Sequence, residues 1–311
     1  MRRTGPELSR RTVLASMASM AGAAGLGLGP ARAAPGPILT RPIPSSGETV
    51  PAVGMGTWIT FNVGENTALR DQRVEVLKTF FDLGGTMVDS SPMYGSAEAV
   101  IGYCLERVPD PGRLFSATKV WNWRQGAGRA QMADSRRLWG LERFDLMQIH
   151  NLLGWEGHME TLKADKAAGR ARHIGITTSH GRRHGDFADI MESQPLDFVQ
   201  FTYNIIDREA ERRLLPLAAE RGLAVIINRP FRRGELFDRF ERHPLPDWAA
   251  EFDCENWAQF FLKFVTSHPA VTCAIPATSR VDHMRENMGA LHGRLPDQAM
   301  RQRMVAYVEG L

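Results

Sequence analysis

The feature that most constrains the fold of this chain is an alternation of short apolar runs with longer amphipathic segments. Runs of this kind are typical of a parallel sheet buried between helices. No Gly-x-Gly-x-x-Gly motif follows a run, which disfavours a Rossmann domain. Eight βα units in one domain predict an α/β fold, a single-domain (β/α)8 TIM barrel. The eight runs span residues 54–58, 86–89, 114–118, 144–150, 171–177, 198–201, 223–227 and 271–275.

The segments between these runs have helical length, and the chain before the first run has a turn signal. Residues 38–53 contain Ser45-Ser46-Gly47-Glu48, which predicts a short N-terminal hairpin ahead of the first barrel strand. The helices are predicted near residues 66–83, 96–107, 128–140, 157–169, 183–192, 208–221, 254–267 and 281–291.

Residues 1–33 are typical of an export signal. Arg10-Arg11 precedes a weakly apolar Ala/Gly/Met stretch, and Ala31-Arg32-Ala33 forms a small-x-small cleavage site. This pattern predicts a twin-arginine signal peptide, with an ordinary secretory signal as the alternative. A membrane anchor is disfavoured because the stretch is short and rich in Gly and Ser. The predicted organisation is therefore a signal at residues 1–33 and a barrel at 34–311, exported to the periplasm or beyond by the twin-arginine machinery.

Removing this signal changes the charge of the chain. It holds five of the 38 basic and one of the 35 acidic residues, so the remainder carries a net charge near −1. A balanced charge argues against nucleic acid or an anionic membrane as a partner. No later segment is apolar enough to predict a membrane span. The three cysteines are widely spaced and do not suggest a disulfide framework.

Four side chains at or just past the ends of three apolar runs suit carbonyl chemistry. Asp89, Lys119 and His150 follow consecutive runs, and Tyr94 comes five positions after Asp89. In a barrel the carboxyl ends of neighbouring strands meet at one face, so these groups are expected together. An ammonium stabilises a nearby phenolate, a carboxylate keeps that ammonium charged, and an imidazole can donate to a carbonyl oxygen. Taken singly, three of the four have a structural alternative: a capping Asp89, a solvated Tyr94 and a satisfied core His150. Lys119 is harder to explain structurally, because Lys is rarely buried without a partner.

Four motifs together resemble the aldo-keto reductase family from about residue 38 to about residue 295. They are VDSSPMYG, ATKVW, QIHN and IPATSRVDHMREN. The resemblance implies that Asp89, Tyr94, Lys119 and His150 form the catalytic tetrad. It also implies an NADP(H)-dependent oxidoreductase that reduces an aldehyde or ketone, or oxidises an alcohol, with Tyr94 as proton donor. The partner would be a small carbonyl or alcohol substrate.

The same resemblance implies a set of cofactor contacts. Tyr203 would stack on the nicotinamide, and Gln200 with Thr177 and Thr178 would bind its carboxamide, although the family usually has Ser-Asn at the two threonines. Arg280 would bind the adenosine 2′-phosphate, which favours NADP over NAD because guanidinium matches phosphate. The remaining implied contacts are Pro230, Phe231 and Gly234 at the pyrophosphate, Thr278 at the 2′-phosphate, and Glu286 and Asn287 at adenine.

The substrate is less visible in the sequence. Trp58, Trp121 and Trp123 lie in loops at the expected mouth, where they line a substrate pocket or pack loop on loop. No metal site is predicted, since His180 and His184 lack a third ligand. A second hypothesis is a non-catalytic ligand-binding or interaction protein on the same scaffold. The intact tetrad favours the enzyme.

Overall fold

The computed structural model describes residues 37–311, which belong to one compact unit. The predicted signal at residues 1–33 lies outside the described residues. Within the described part, no helix is long and apolar enough to cross a membrane.

Eight parallel strands form the barrel, and the predicted (β/α)8 fold is confirmed. Sheet order follows chain order, and the bridges Val53–Ala274 and Gly56–Ala277 join the last strand to the first. A Cβ on Gly56 would lie 2.8 Å from the carbonyl oxygen of Ile275, so closure at this seam requires glycine. The strands are β3 (Met55–Gly56), β4 (Met87–Asp89), β5 (Phe115–Val120), β6 (Phe144–Ile149), β7 (Ala171–Thr177), β8 (Phe198–Thr202), β9 (Ala224–Asn228) and β10 (Cys273–Ala274).

The predicted hairpin is also confirmed, and it closes the amino end of the barrel. Strands β1 (Thr40–Pro42) and β2 (Thr49–Pro51) pair antiparallel. Ile43 and Val50 join the apolar cluster of the barrel interior, beside Phe115 and Phe198. Burial of these apolar side chains stabilises the hairpin against the amino end of the barrel.

Ten helices surround the barrel in the described residues. The eight predicted segments all contain a helix, although residues 209–212 form a separate 3-10 turn before the helix at Leu214–Arg221. The helices at Glu235–Phe240 and Gln298–Glu309 were not predicted. The helices are α1 (Thr67–Asp82), α2 (Ala97–Leu105), α3 (Gln125–Trp139), α4 (Trp155–Ala167), α5 (His184–Ser193), α6 (Leu214–Arg221), α7 (Glu235–Phe240), α8 (Trp257–Thr266), α9 (Val281–Gly289) and α10 (Gln298–Glu309).

The side chains inside the barrel change from apolar to polar along the strands. Every second residue of a strand faces the interior. The amino-end layers are apolar, as with Met87 and Leu146. The layer at the carboxyl ends contains Asp89, Lys119 and Gln148. This arrangement places a polar centre above an apolar core, at the face where barrel enzymes have their active sites.

Candidate active site

A buried ion pair lies at the centre of the carboxyl face. Lys119 Nζ donates to Asp89 Oδ2 at 2.5 Å and to the Ser90 carbonyl at 2.7 Å. The exposed fractions of the Lys119 and Asp89 side chains are 0% and 2%. Strands β4 and β5 are neighbours, so the two groups meet from the ends of adjacent strands. Two charges removed from water in this way need close pairing and further hydrogen bonds.

The second oxygen of Asp89 supplies those further bonds. Asp89 Oδ1 accepts from Gln148 Nε2 at 3.2 Å and from Gln200 Nε2 at 3.0 Å. Gln200 was expected to bind the nicotinamide carboxamide. One hydrogen of its amide nitrogen is engaged by Asp89, which leaves the second amide hydrogen and the carbonyl oxygen for a ligand.

The loop after β4 positions Tyr94. Residues Pro92–Tyr94 form a 3-10 turn capped by Ser91, whose Oγ accepts from the Met93 amide. Gly95 follows at φ 64°, and a Cβ there would lie 2.4 Å from Asn62 Oδ1. Lys119 Nζ is 5.2 Å from the centroid of the Tyr94 ring. The turn therefore brings the phenol to the ion pair.

His150 lies against Tyr94, with the ring centroids 5.7 Å apart and the rings nearly perpendicular. Its Nδ1 is 2.7 Å from Ser91 Oγ. The Ser91 oxygen accepts the Met93 amide, and its hydroxyl hydrogen can donate to Nδ1; in that tautomer the imidazole hydrogen is on Nε2. Burial, aided by the charge of Lys119, holds the pKa of His150 well below its usual value, so the ring is neutral.

The charges at the centre set the protonation of Lys119 and Tyr94. Burial alone would lower the pKa of Lys119, but Asp89 and Tyr94 outweigh it and the pKa is raised. Burial raises the pKa of Tyr94, and the charge of Lys119 opposes that rise without cancelling it. The charge of Lys119 lowers the pKa of Tyr94, as expected, but burial outweighs it and the phenol keeps its proton in the free protein.

The two threonines after β7 lie at the mouth and are already hydrogen-bonded. Thr177 Oγ1 accepts from the Asn151 amide at 3.0 Å, and Thr178 Oγ1 donates to the Arg182 carbonyl at 2.7 Å. The Thr177 hydroxyl hydrogen remains available to a ligand, whereas that of Thr178 is used.

The structure contradicts the expectation that Tyr203 stacks on nicotinamide. The side chain is fully buried, and its ring packs against Phe264 and His268. Its hydroxyl is bonded to Glu211 and Arg301. Tyr203 therefore ties α8 and α10 to the outside of the barrel.

The loop after β9 was expected to pass a pyrophosphate at Pro230, Phe231 and Gly234. Phe231 is buried and packs edge-on against Phe237, with centroids 4.8 Å apart. It therefore anchors the loop. Gly234 has φ 102°, and nothing lies within 4 Å of a Cβ placed there. The expected residues shape this loop, and its charge comes from arginines.

Arg229 is a functional candidate that the sequence prediction missed. It directly follows β9, and its buried Nε and Nη1 have no hydrogen-bond partner among residues 37–311. Its pKa is lowered, mainly by burial and also by the nearby charge of Arg233. Arg229 is partly buried, and buried guanidinium nitrogens without a partner cost free energy unless an anion binds them. The loops after the seventh and eighth strands of such barrels often bind phosphate. Arg229 therefore fits the pyrophosphate of a dinucleotide.

The segment after β10 carries the residues expected at the adenosine end. Thr278 is buried, and its Oγ1 accepts from the Arg280 amide at 3.1 Å. Arg280 is exposed at the start of α9. On that helix Glu286 is exposed and Asn287 is buried. These residues share one end of the mouth, beside the Arg229 loop.

The expected pocket tryptophans lie on two loops of the mouth. The Arg233 guanidinium covers one face of Trp58 at 4.2 Å. Trp121 and Trp123 follow β5 and are 42% and 79% exposed. Ile59 and Met93, on the loops after β3 and β4, are also exposed. The loops after β3, β4 and β5 therefore expose apolar side chains, and Arg233 from the loop after β9 packs on Trp58.

The described residues contain no cluster of three or more His, Cys, Asp or Glu side chains suited to a metal ion. The centre of the carboxyl face brings together a carboxylate, an ammonium and a neutral imidazole at three strand ends and a phenol in the loop after β4.

Residues 52–304 match the model of the aldo/keto reductase family. This chain belongs to that family. The methylglyoxal reductase YeaE of Escherichia coli is 29% identical over 274 residues, which cover 83% of this chain and 92% of that protein.

Solved aldo-keto reductase structures show the same fold. One from Klebsiella pneumoniae, in complex with NADP and acetate, has a TM-score of 0.72 at 24% identity and covers 84% of this chain and 93% of its own. Another from Klebsiella pneumoniae, in complex with NADPH, has a TM-score of 0.68 at 25% identity and covers 84% of this chain and 92% of its own.

Proposed function

We propose that this aldo-keto reductase is an NADP(H)-dependent enzyme that reduces an aldehyde or ketone to an alcohol, or catalyses the reverse reaction. The observation that carries the proposal is the meeting of Tyr94 and neutral His150 above the Lys119–Asp89 ion pair. These are a proton donor, a hydrogen-bond donor for the substrate oxygen and a charge that stabilises the donor's conjugate base.

Each residue has one task in reduction. His150 Nε2–H donates to the carbonyl oxygen and orients it. Bound nicotinamide supplies the hydride. Tyr94, which keeps its proton because burial raises its pKa, transfers that proton to the developing alkoxide. The phenolate left behind is stabilised by Lys119, which Asp89 holds in place.

The side chains of the mouth support a dinucleotide at the loops after β9 and β10 and a substrate at the loops after β3, β4 and β5. Arg229 and Arg233 follow β9, and Arg280 follows β10, and we expect these cations to bind the pyrophosphate and the adenosine phosphate. The exposed apolar side chains follow β3, β4 and β5 and would contact the apolar part of a substrate.

We also propose that the protein is exported by the twin-arginine route, as its first 33 residues suggest. That route carries folded proteins, so the cofactor would be bound in the cytoplasm before transport. A retained nicotinamide could then be reduced and reoxidised in place by two substrates.

Replacing Tyr94 with Phe should lower the kcat of carbonyl reduction by at least about 100-fold, the size of a general-acid contribution. NADPH affinity, measured by fluorescence titration, should change by less than about threefold, because the phenol acts on the substrate oxygen. Tyr103→Phe is the matched control, since Tyr103 bonds Asp71 on the outside of the barrel. A Tyr94→Phe enzyme with near-normal kcat would remove Tyr94 from the acid role.

Replacing Arg229 with Met should have opposite effects on binding and stability. NADPH affinity should fall at least about tenfold, since a charge-assisted bond to phosphate is lost. The melting temperature of the ligand-free protein should stay equal or rise, because two buried guanidinium nitrogens without a hydrogen-bond partner are removed. Arg143→Met, an exposed change before β6, is the control. A lower melting temperature with unchanged affinity would make Arg229 structural.

Changing Arg10 and Arg11 to Lys should keep the protein in the cytoplasm of a host with a working twin-arginine system. The measurement is the distribution of the protein between cytoplasmic and periplasmic fractions. Export of the Lys-Lys variant at the wild-type level would contradict this route and favour an ordinary secretory signal.

A further inference from the structure

The cation expected at the adenosine 2′-phosphate is already paired within the protein. Arg280 Nε donates to Asp282 Oδ1 at 3.0 Å, and Arg280 Nη2 donates to Asp282 Oδ2. The two side chains are 61% and 60% exposed. This two-pronged geometry is the one in which guanidinium binds a phosphate, so Asp282 occupies the fork that the ligand would use.

Other charges near this segment do not replace Arg280. Arg73 is buried and donates to the carbonyl oxygens of Thr60 at 2.6 Å and Ser279 at 3.3 Å, so it holds the backbone. Glu286 lies one helical turn after Asp282 and adds a second acidic group near Arg280. Arg285 is close enough to Lys78 of α1 for its charge to oppose the rise in the pKa of Lys78. The Arg280 guanidinium that an incoming phosphate would bind is therefore flanked by two carboxylates.

Resting on the proposed function, we propose that Asp282 determines cofactor specificity by competing with the 2′-phosphate for Arg280. NADP(H) must displace Asp282 and leave its carboxylate beside a phosphate dianion. NAD(H) has a hydroxyl at that position and leaves the pair intact. Asp282 thus weakens NADP(H) binding selectively and narrows the preference for NADP(H) over NAD(H).

The test is a double-mutant cycle with Asp282→Asn, Arg280→Met and the double variant. The dissociation constants of NADPH and NADH are measured by fluorescence titration. Exposed ion pairs are weak, so Asp282→Asn should tighten NADPH about two- to tenfold and leave NADH within about 1.5-fold. In the Arg280→Met background, Asp282→Asn should change the dissociation constant of NADPH only slightly. Raising the salt concentration should reduce the gain in NADPH affinity that Asp282→Asn produces in the wild-type background.

Asp110→Asn provides a matched control. Asp110 pairs with Arg113 at 3.0 Å, and the two are 63% and 58% exposed. This pair precedes β5, at the amino end of the barrel, so its loss should change neither dissociation constant.

Three results overturn the inference alone: Asp282→Asn leaves NADPH affinity unchanged, tightens NADPH and NADH equally, or keeps its full effect without Arg280. A wild-type protein that binds neither dinucleotide overturns the proposed function and this inference together.

Discussion

The active site depends on the buried contact between Lys119 and Asp89. Neither charge would be stable alone at this depth, and removing one partner of such a pair typically costs about 3–5 kcal/mol. Asp89 accepts from Lys119, Gln148 and Gln200, and Lys119 also donates to the Ser90 carbonyl. These bonds join strands β4, β5, β6 and β8 at one level. The ion pair therefore fixes the carboxyl face of the barrel and supplies the charge on which Tyr94 and His150 depend.

The side chains that stabilise the barrel and those of the candidate site lie at opposite ends of its axis. Its amino end is filled by apolar side chains and closed by the hairpin, with Ile43 and Val50 in the interior cluster. Its carboxyl end carries the polar centre, with an apolar rim after β3 to β5 and arginines after β9. Arg229 is partly buried, and its Nε and Nη1, which have no hydrogen-bond partner among the described residues, carry a local cost in free energy. Such local costs are expected where a protein binds a ligand.

Sequence alone predicts the parts of this protein that follow from strand periodicity. Asp89, Lys119 and His150 could be placed together because consecutive parallel strands end at one face. The position of Tyr203 could not be predicted from the family resemblance, which takes no account of how side chains alternate along a strand. Inward-facing Gln200 makes Tyr203, three positions on, face outward, so alternation was the signal that could have corrected it. Arg229 was missed because the free energy of an unpaired cation depends on its tertiary neighbours.

The most direct test of this account is the pH dependence of the hydride-transfer rate in a single turnover of NADPH-loaded enzyme. A His150 pKa held well below the usual 6.5 and a raised Tyr94 pKa leave both groups in their active forms across neutral pH. The rate should therefore be flat from about pH 5.5 to about pH 8.5 and fall only under alkaline conditions, as Tyr94 loses its proton. A break near pH 6.5 that disappears in His150→Gln would contradict the account, because it would show an imidazole that titrates during catalysis.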